Sequence, residues 1–293
     1  MTRILGLLGC VMLMVAANAQ AKLRVLSSIK PLTLIAQEIG GDSAIADTLL
    51  PASASPHDYP LKVSDYSRLQ AADIVLWVGP ELESFLQKPV ANLPREKVVT
   101  AYALAGLSWP LESHGHSEKH VHERDPHLWL NPQNAIVLAR ALGEQLMRLD
   151  PGNKALYVQN IKRFVDKTTQ LDEMLRLKLK PLQARGFAVY HEGYGHFVSH
   201  YGLRQLDYVT FTPEQRPGAK HLKELREILA KEGVCLFLEP YYEQPSVLNL
   251  AHELNLRTAV LDALGSQNNI ADYSQLLGRM AEAFVSCLGD KGV

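Results

Sequence analysis

The sequence predicts an α/β protein of two lobes, each built on a mainly parallel sheet covered by helices, with one long helix between them. Three observations carry this. Strand-like and helix-like segments alternate through residues 23–100, the alternation resumes through residues 187–287, and a long helical pattern separates the two stretches. In the first half, Leu23-Arg24-Val25-Leu26 reads as a strand and residues 32–39 as a helix closed by Gly40-Gly41. Thr48-Leu49-Leu50 ends a second short strand. Residues 64–71 suit a helix, residues 73–78 form an apolar run with the look of a buried strand, and Lys97-Val98-Val99-Thr100 follows a further helix. In the second half the strands fall at 187–190, 205–209, 234–238 and 258–261, and the helices near 194–200, 219–231, 246–253 and 273–287.

The separating helix has its own signature. Asp150 suits its cap and Pro151 its first position. Tyr157, Ile161, Phe164, Thr168, Leu171 and Leu175 recur at steps of four and three along one face. Pro181 disfavours helix at the residue before it and sets the end. About thirty residues at 1.5 Å each give roughly 45 Å. Such a linker is a strut, and it predicts small relative motion of the lobes. The expected organisation is a signal peptide over 1–21, a first α/β lobe over 22–150, the linker helix over 151–180 and a second α/β lobe over 181–293. The lobes are Rossmann-like, and the cleft between them is the expected ligand site.

Composition narrows the function. The 293 residues carry a formal net charge of −1, so no basic field points to nucleic acid or to an anionic membrane. Arg3, the apolar stretch 4–17 and the small residues Ala17, Ala19 and Ala21 have the three parts of a secretory signal, with cleavage favoured after Ala21. A lipoprotein reading at Cys10 leaves an apolar run of only about six residues, shorter than a normal signal core. Export leaves Cys235 and Cys287 in an oxidising compartment, where they form either one bridge or two buried small hydrophobes.

Three histidine motifs carry the chemistry: Pro56-His57-Asp58-Tyr59, Asp125-Pro126-His127-Leu128-Trp129 and Tyr190-His191-Glu192. Each lies at or beyond the C-terminal end of a strand, where open α/β sheets place ligands. A lone histidine is usually a turn or core residue. Three in matching contexts point to a site for a divalent metal of intermediate softness, zinc first. Asp58 is placed to orient His57, and Asp125 to hold the loop of His127. Glu192 is one position past His191 and should point elsewhere. Asp262, closing the last strand, either completes a fourth coordination position or caps the following turn; without it, water fills the fourth place. His196 and His200 share i, i+4 spacing but have no Glu between them, so a zinc-protease reading is weak. His114, His116, His120 and His122 lie in the polar segment 114–123, expected as a mobile loop that binds metal loosely.

Taken together, these residues resemble the periplasmic solute-binding proteins of zinc and manganese ABC importers, and within them the zinc branch. The similarity spans essentially the whole mature sequence. Besides the three histidine motifs, it includes Ala71-Ala72-Asp73, the strut helix, Tyr201-Gly202-Leu203, Pro213-Glu214 with Pro217-Gly218, and Leu261-Asp262-Ala263-Leu264-Gly265. It implies one high-affinity site between the lobes with His57, His127 and His191 as ligands. The third ligand tends to be Glu in manganese members; His191 there implies zinc. Some zinc members carry Glu before the first ligand histidine, where this chain has Pro56, leaving Asp262 or water for the fourth place. The resemblance also implies a Cys235–Cys287 bridge.

The function expected is a non-enzymatic carrier of Zn2+ as transported ligand, working as a monomer with a membrane permease and without nucleic acid. A manganese carrier is the nearest alternative. A secreted zinc hydrolase is the competing class, but it needs a general base beside bound water. Only Glu192 and Asp262 offer one, and no G-x-S-x-G motif is present. A surface adhesin lacks an obvious anchor.

Overall fold

The computed structural model describes residues 21–110, 124–240, 242, 245–267 and 269–289. The expected signal, apart from Ala21, and the histidine segment 114–123 lie outside them. The first lobe runs β1 (Leu23–Ser27), α1 (Lys30–Gly40), β2 (Ala44–Thr48), α2 (Val63–Ala71), β3 (Ile74–Trp77), α3 (Gln87–Ala91) and β4 (Val98–Thr100). Helices α4 (Pro132–Leu149) and α5 (Lys154–Leu179) follow. The second lobe runs β5 (Gly186–His191), α6 (Gly195–Tyr201), β6 (Arg204–Thr210), α7 (Ala219–Glu232), β7 (Gly233–Leu238), α8 (Pro245–Glu253), β8 (Arg257–Val260) and α9 (Tyr273–Leu288).

Both sheets are parallel and share one strand order, β2-β1-β3-β4 and β6-β5-β7-β8. The central strands read as apolar runs because helices cover both faces, and all four residues of β3 are buried. Edge strand β2 alternates instead, with Ile45 exposed. Its ladder outlasts its formal end: Leu49 and Leu50 donate their amides to Ser27 and Ser28, which matches the strand-like reading of 48–50.

The linker differs from its sequence reading in three ways. Pro151–Asn153 forms a short 3-10 turn, and α5 itself has 26 residues, about 39 Å. Asp150 does not cap it; its carboxylate accepts from Asn153 Nδ2 and from the Tyr157 hydroxyl at 2.7 and 2.8 Å. The buried face also includes Asn160 and Asp172, which an apolar count skips. Asn160 donates to the Ile39 carbonyl and Asp172 accepts from Gln133 Nε2, so both are satisfied where they are buried.

The lobes are tied at several points. One apolar core runs from Val25 and Leu76 through Trp129 and Phe164 to Phe187 and Phe284. Trp129 Nε1 donates to the Ala263 carbonyl at 2.9 Å, and the Tyr273 hydroxyl to the Trp129 carbonyl at 2.6 Å. On α5, Lys167 sits 3.1 Å from both Glu38 of the first lobe and Asp272 of the second. Cys235 of β7 is bridged to Cys287 of α9, with Cα atoms 5.9 Å apart.

Two expectations follow. The bridge closes a separation of 52 residues, which by chain entropy alone is about 4 kcal/mol. Replacing Cys235 and Cys287 together by Ser should lower the unfolding free energy by about 2–4 kcal/mol in denaturant titration. Glu83 is fully buried and accepts from the Val78 and Gly79 amides; burial pushes its carboxyl up to about 7 against the pull of Ser28 and those amides. A raised acid favours the fold below its unfolded value, and that contribution fades as pH rises through about 7. Thermal melts from pH 5 to 8 should therefore lose on the order of 1–3 kcal/mol from this group, and Glu83→Gln should flatten that slope.

Candidate metal centre

The C-terminal ends of both sheets face one cleft, and the three histidines meet there. His57 follows β2, on a segment whose amide donates to Ser55 Oγ at 3.1 Å. His127 comes from the segment after β4 and leads into the short helical turn Leu128–Leu130. His191 is the last residue of β5. The ring centroids are 5.2, 5.3 and 5.6 Å apart, nearly an equilateral triangle. Among the described residues, these are the side chains grouped to share an ion, with one ligand atom each inside 4.8 Å of the others.

Carboxylates set two of the rings. Asp125 Oδ1 accepts from His127 Nδ1 at 2.7 Å and from its amide at 2.9 Å. Glu239 Oε1 bonds His191 Nδ1 and accepts the Tyr194 hydroxyl at 2.6 Å. An ionised carboxylate only accepts, so each Nδ1 carries the proton and each Nε2 turns to the cleft. The two Nε2 atoms stand 3.3 Å apart. Two imidazole nitrogens about 2.05 Å from a tetrahedral zinc would also lie about 3.3 Å apart. His57 Nε2 completes the triangle, buried and without a hydrogen-bond partner.

The charges follow from this packing. Burial, then His127 and His191, hold the His57 imidazole well below its ordinary value, so it is neutral at neutral pH. Burial acts on His191 in the same direction, but Glu239 overrides it and raises its proton affinity. Asp125 is pushed up by burial, yet the His127 ring holds it well below the usual carboxylate range.

The remaining sequence candidates are employed elsewhere. Asp58 is exposed and makes no hydrogen bond to His57. Glu192 accepts from Gln205 Nε2 at 2.9 Å and acts on His191 through its charge. Asp262 lines the cleft, but its two oxygens accept from Ser266 Oγ and the Gln267 amide, each at 2.9 Å, which is the turn-capping role. His200 bonds Asp172 at 2.8 Å and His196 bonds the Asp125 carbonyl at 2.9 Å. Glu239 was missed from sequence, although Leu238-Glu239-Pro240 places it past a strand end just as Asp262 is placed. The cavity bounded by His57, His127, His191, Trp129, Tyr194 and Glu239 is about 50 Å³, room for one ion and a water.

The family described as zinc-uptake complex component A, periplasmic (ZnuA), matches residues 25–287. The chain belongs to this family. A high-affinity zinc uptake system protein ZnuA from Yersinia pestis is 36% identical over 295 residues, 92% of this chain and 92% of the relative. The protein of the same description from Haemophilus influenzae is 30% identical, over 94% of this chain and 96% of its own length. A crystal structure of ZnuA superposes with a TM-score of 0.78 at 27% identity, covering 92% of this chain and 100% of that one. The periplasmic zinc-binding protein TroA of Treponema pallidum shares the fold, with a TM-score of 0.80 at 21% identity and coverage of 92% and 100%. The fold expected from sequence, two α/β lobes joined by a long helix, is the fold of this family. The family is a component of an uptake system, and its description places it in the periplasm.

Glu239→Gln keeps the side-chain shape but weakens the pull on the His191 Nδ1 proton. It should lower zinc affinity about tenfold with the fold intact, read by competition with a chromophoric chelator.

Proposed function

We propose that the chain captures zinc in the periplasm on His57, His127 and His191 and passes it to the membrane permease of an ABC importer. The observation that carries this is the pair of Nε2 atoms 3.3 Å apart across the cleft, with a third buried imidazole nitrogen beside them. The fourth position falls to Asp262 or to water; Asp262 lines the cleft while its oxygens also serve the turn after it. An all-nitrogen triad suits zinc better than manganese, which prefers carboxylate and water oxygen. The carrier is a monomer, exported by a signal cleaved after Ala21; among the described residues no helix is long and apolar enough to cross a membrane. Hydrolase chemistry is disfavoured because Glu192 and Asp262, the two candidate bases, are turned to Gln205 and to the Ser266 turn. His114, His116, His120 and His122 are auxiliary, loose ligands that gather metal without forming the tight site.

Calorimetric titration of the metal-free protein should give one tight zinc equivalent and weak manganese binding, with the tight site lost when His57, His127 and His191 are all replaced by Ala. Tight manganese, or zinc retained by that variant, would overturn the ligand set. The pH dependence has a definite sign. Glu239 raises the proton affinity of His191 from its ordinary value, so protons compete with zinc for this ring and affinity falls as pH drops. The expected loss is about tenfold per pH unit while one proton is displaced. Zinc affinity unchanged between pH 5 and 7.5 would contradict it.

A further inference from the structure

The position of His127 depends on Asp125, which raises the question of what positions Asp125. Its Oδ1 holds both the His127 amide and the His127 ring, so any displacement of Asp125 carries the ring with it. Two contacts from the second lobe act on it. The Asp125 carbonyl accepts from His196 Nε2 at 2.9 Å. Its Oδ2, buried and without a hydrogen-bond partner, lies against Gly195, where an added Cβ would come within 2.8 Å of it.

His196 is itself fixed. It is 1% exposed on α6, and Asn134 Nδ2 lies 3.3 Å from its Nδ1. Asn134 is in turn locked to Ser108 by two bonds, 2.7 and 2.9 Å. An amide NH2 only donates, so Nδ1 accepts, the proton is on Nε2, and Nε2 is aimed at the carbonyl. The Trp109 ring packs on the imidazole with centroids 5.6 Å apart. Burial lowers the proton affinity of His196, consistent with a neutral ring in this role. An aliphatic side chain at 196 would supply neither the donor to Asp125 nor the acceptor for Asn134.

We propose that His196 is a positioning residue for the metal, setting the place of His127 from the opposite lobe through the Asp125 backbone. The consequence lies in the chain order: residues 191–196 then carry one ligand, His191, and the contact that places another, His127. The turn between them is tight, since a Cβ at Gly193 would strike the His191 ring. One short segment therefore acts on both sides of the Nε2–Nε2 pair, alongside Glu239, which holds the His191 ring. This rests on the reading of His127 as a ligand.

The test compares His196→Leu, His196→Gln and His127→Ala, using zinc affinity by chelator competition, the visible absorption of bound Co2+, and the melting temperature without metal. His196→Leu should keep one zinc equivalent, lose about 10–100-fold in affinity and change the Co2+ bands. His196→Gln, which keeps an N–H donor at similar reach, should recover affinity to within a few fold. Wild-type affinity and Co2+ bands in His196→Leu, or equal loss in the Leu and Gln variants, would overturn the proposal. If His196→Leu does not fold, Gly195→Ala presses on Asp125 from the same side and should alter the Co2+ bands; unaltered bands would overturn it. Loss of tight zinc in His127→Ala separates the two questions: with it, a wild-type His196→Leu sinks only the positioning role. Tight zinc retained in His127→Ala sinks the site reading and this inference together.

Discussion

The structure turns on holding two imidazole nitrogens 3.3 Å apart with their lone pairs facing each other and a third close by. Without a cation or a proton that arrangement is repulsive, and burial makes it worse because the surrounding dielectric is low. The carboxylate of Glu239 raises the proton affinity of His191, while burial and the two neighbouring rings depress that of His57. A divalent ion relieves the repulsion at once. The fold's task is to keep the rings from swinging apart while no ion is present, and Asp125 and Glu239 do so by grasping each ring from behind.

Such a grip works only if the two lobes keep their distance, since the paired histidines come from opposite sides of the cleft. The continuous core, the Trp129–Ala263 bond and the double engagement of Lys167 supply that constraint. Matching strand order in the two sheets brings their C-terminal ends to the same cleft, so residues at or beyond strand ends in either lobe can meet there.

The alternation of strands and helices, the strut and the three clustered histidines were all legible because each leaves a local pattern: apolar runs, a helical period, a histidine at or past a strand end. The departures share one cause. Asn160 and Asp172 are buried polar residues whose partners lie 121 and 39 positions away, and periodicity of apolar residues passes over them. Asp150 reads as a cap from its neighbours, yet the hydroxyl of Tyr157 seven residues on claims it. Glu239 was visible in principle, since it follows a strand as His191 and Asp262 do, but nothing in the sequence says which strand end meets His191. For Asp262 the sequence allowed two roles, and the neighbours that favour one, Ser266 and Gln267, matter only once the turn has closed.

His57 differs from the other two histidines in having no carboxylate behind it. Its segment is pinned downstream, where Tyr59 packs on Phe85 and bonds Asp65, while Pro51, Ala52 and Ser53 upstream are exposed. Prising the lobes apart would bring Trp129 and its neighbours into water, roughly 3 kcal/mol for each large side chain. Lifting residues 51–57 breaks far less. Of the three histidines, His57 therefore has the mechanically softest mount: peeling one strap from the rim of the cleft would part it from His127 and His191 while the lobes stay together.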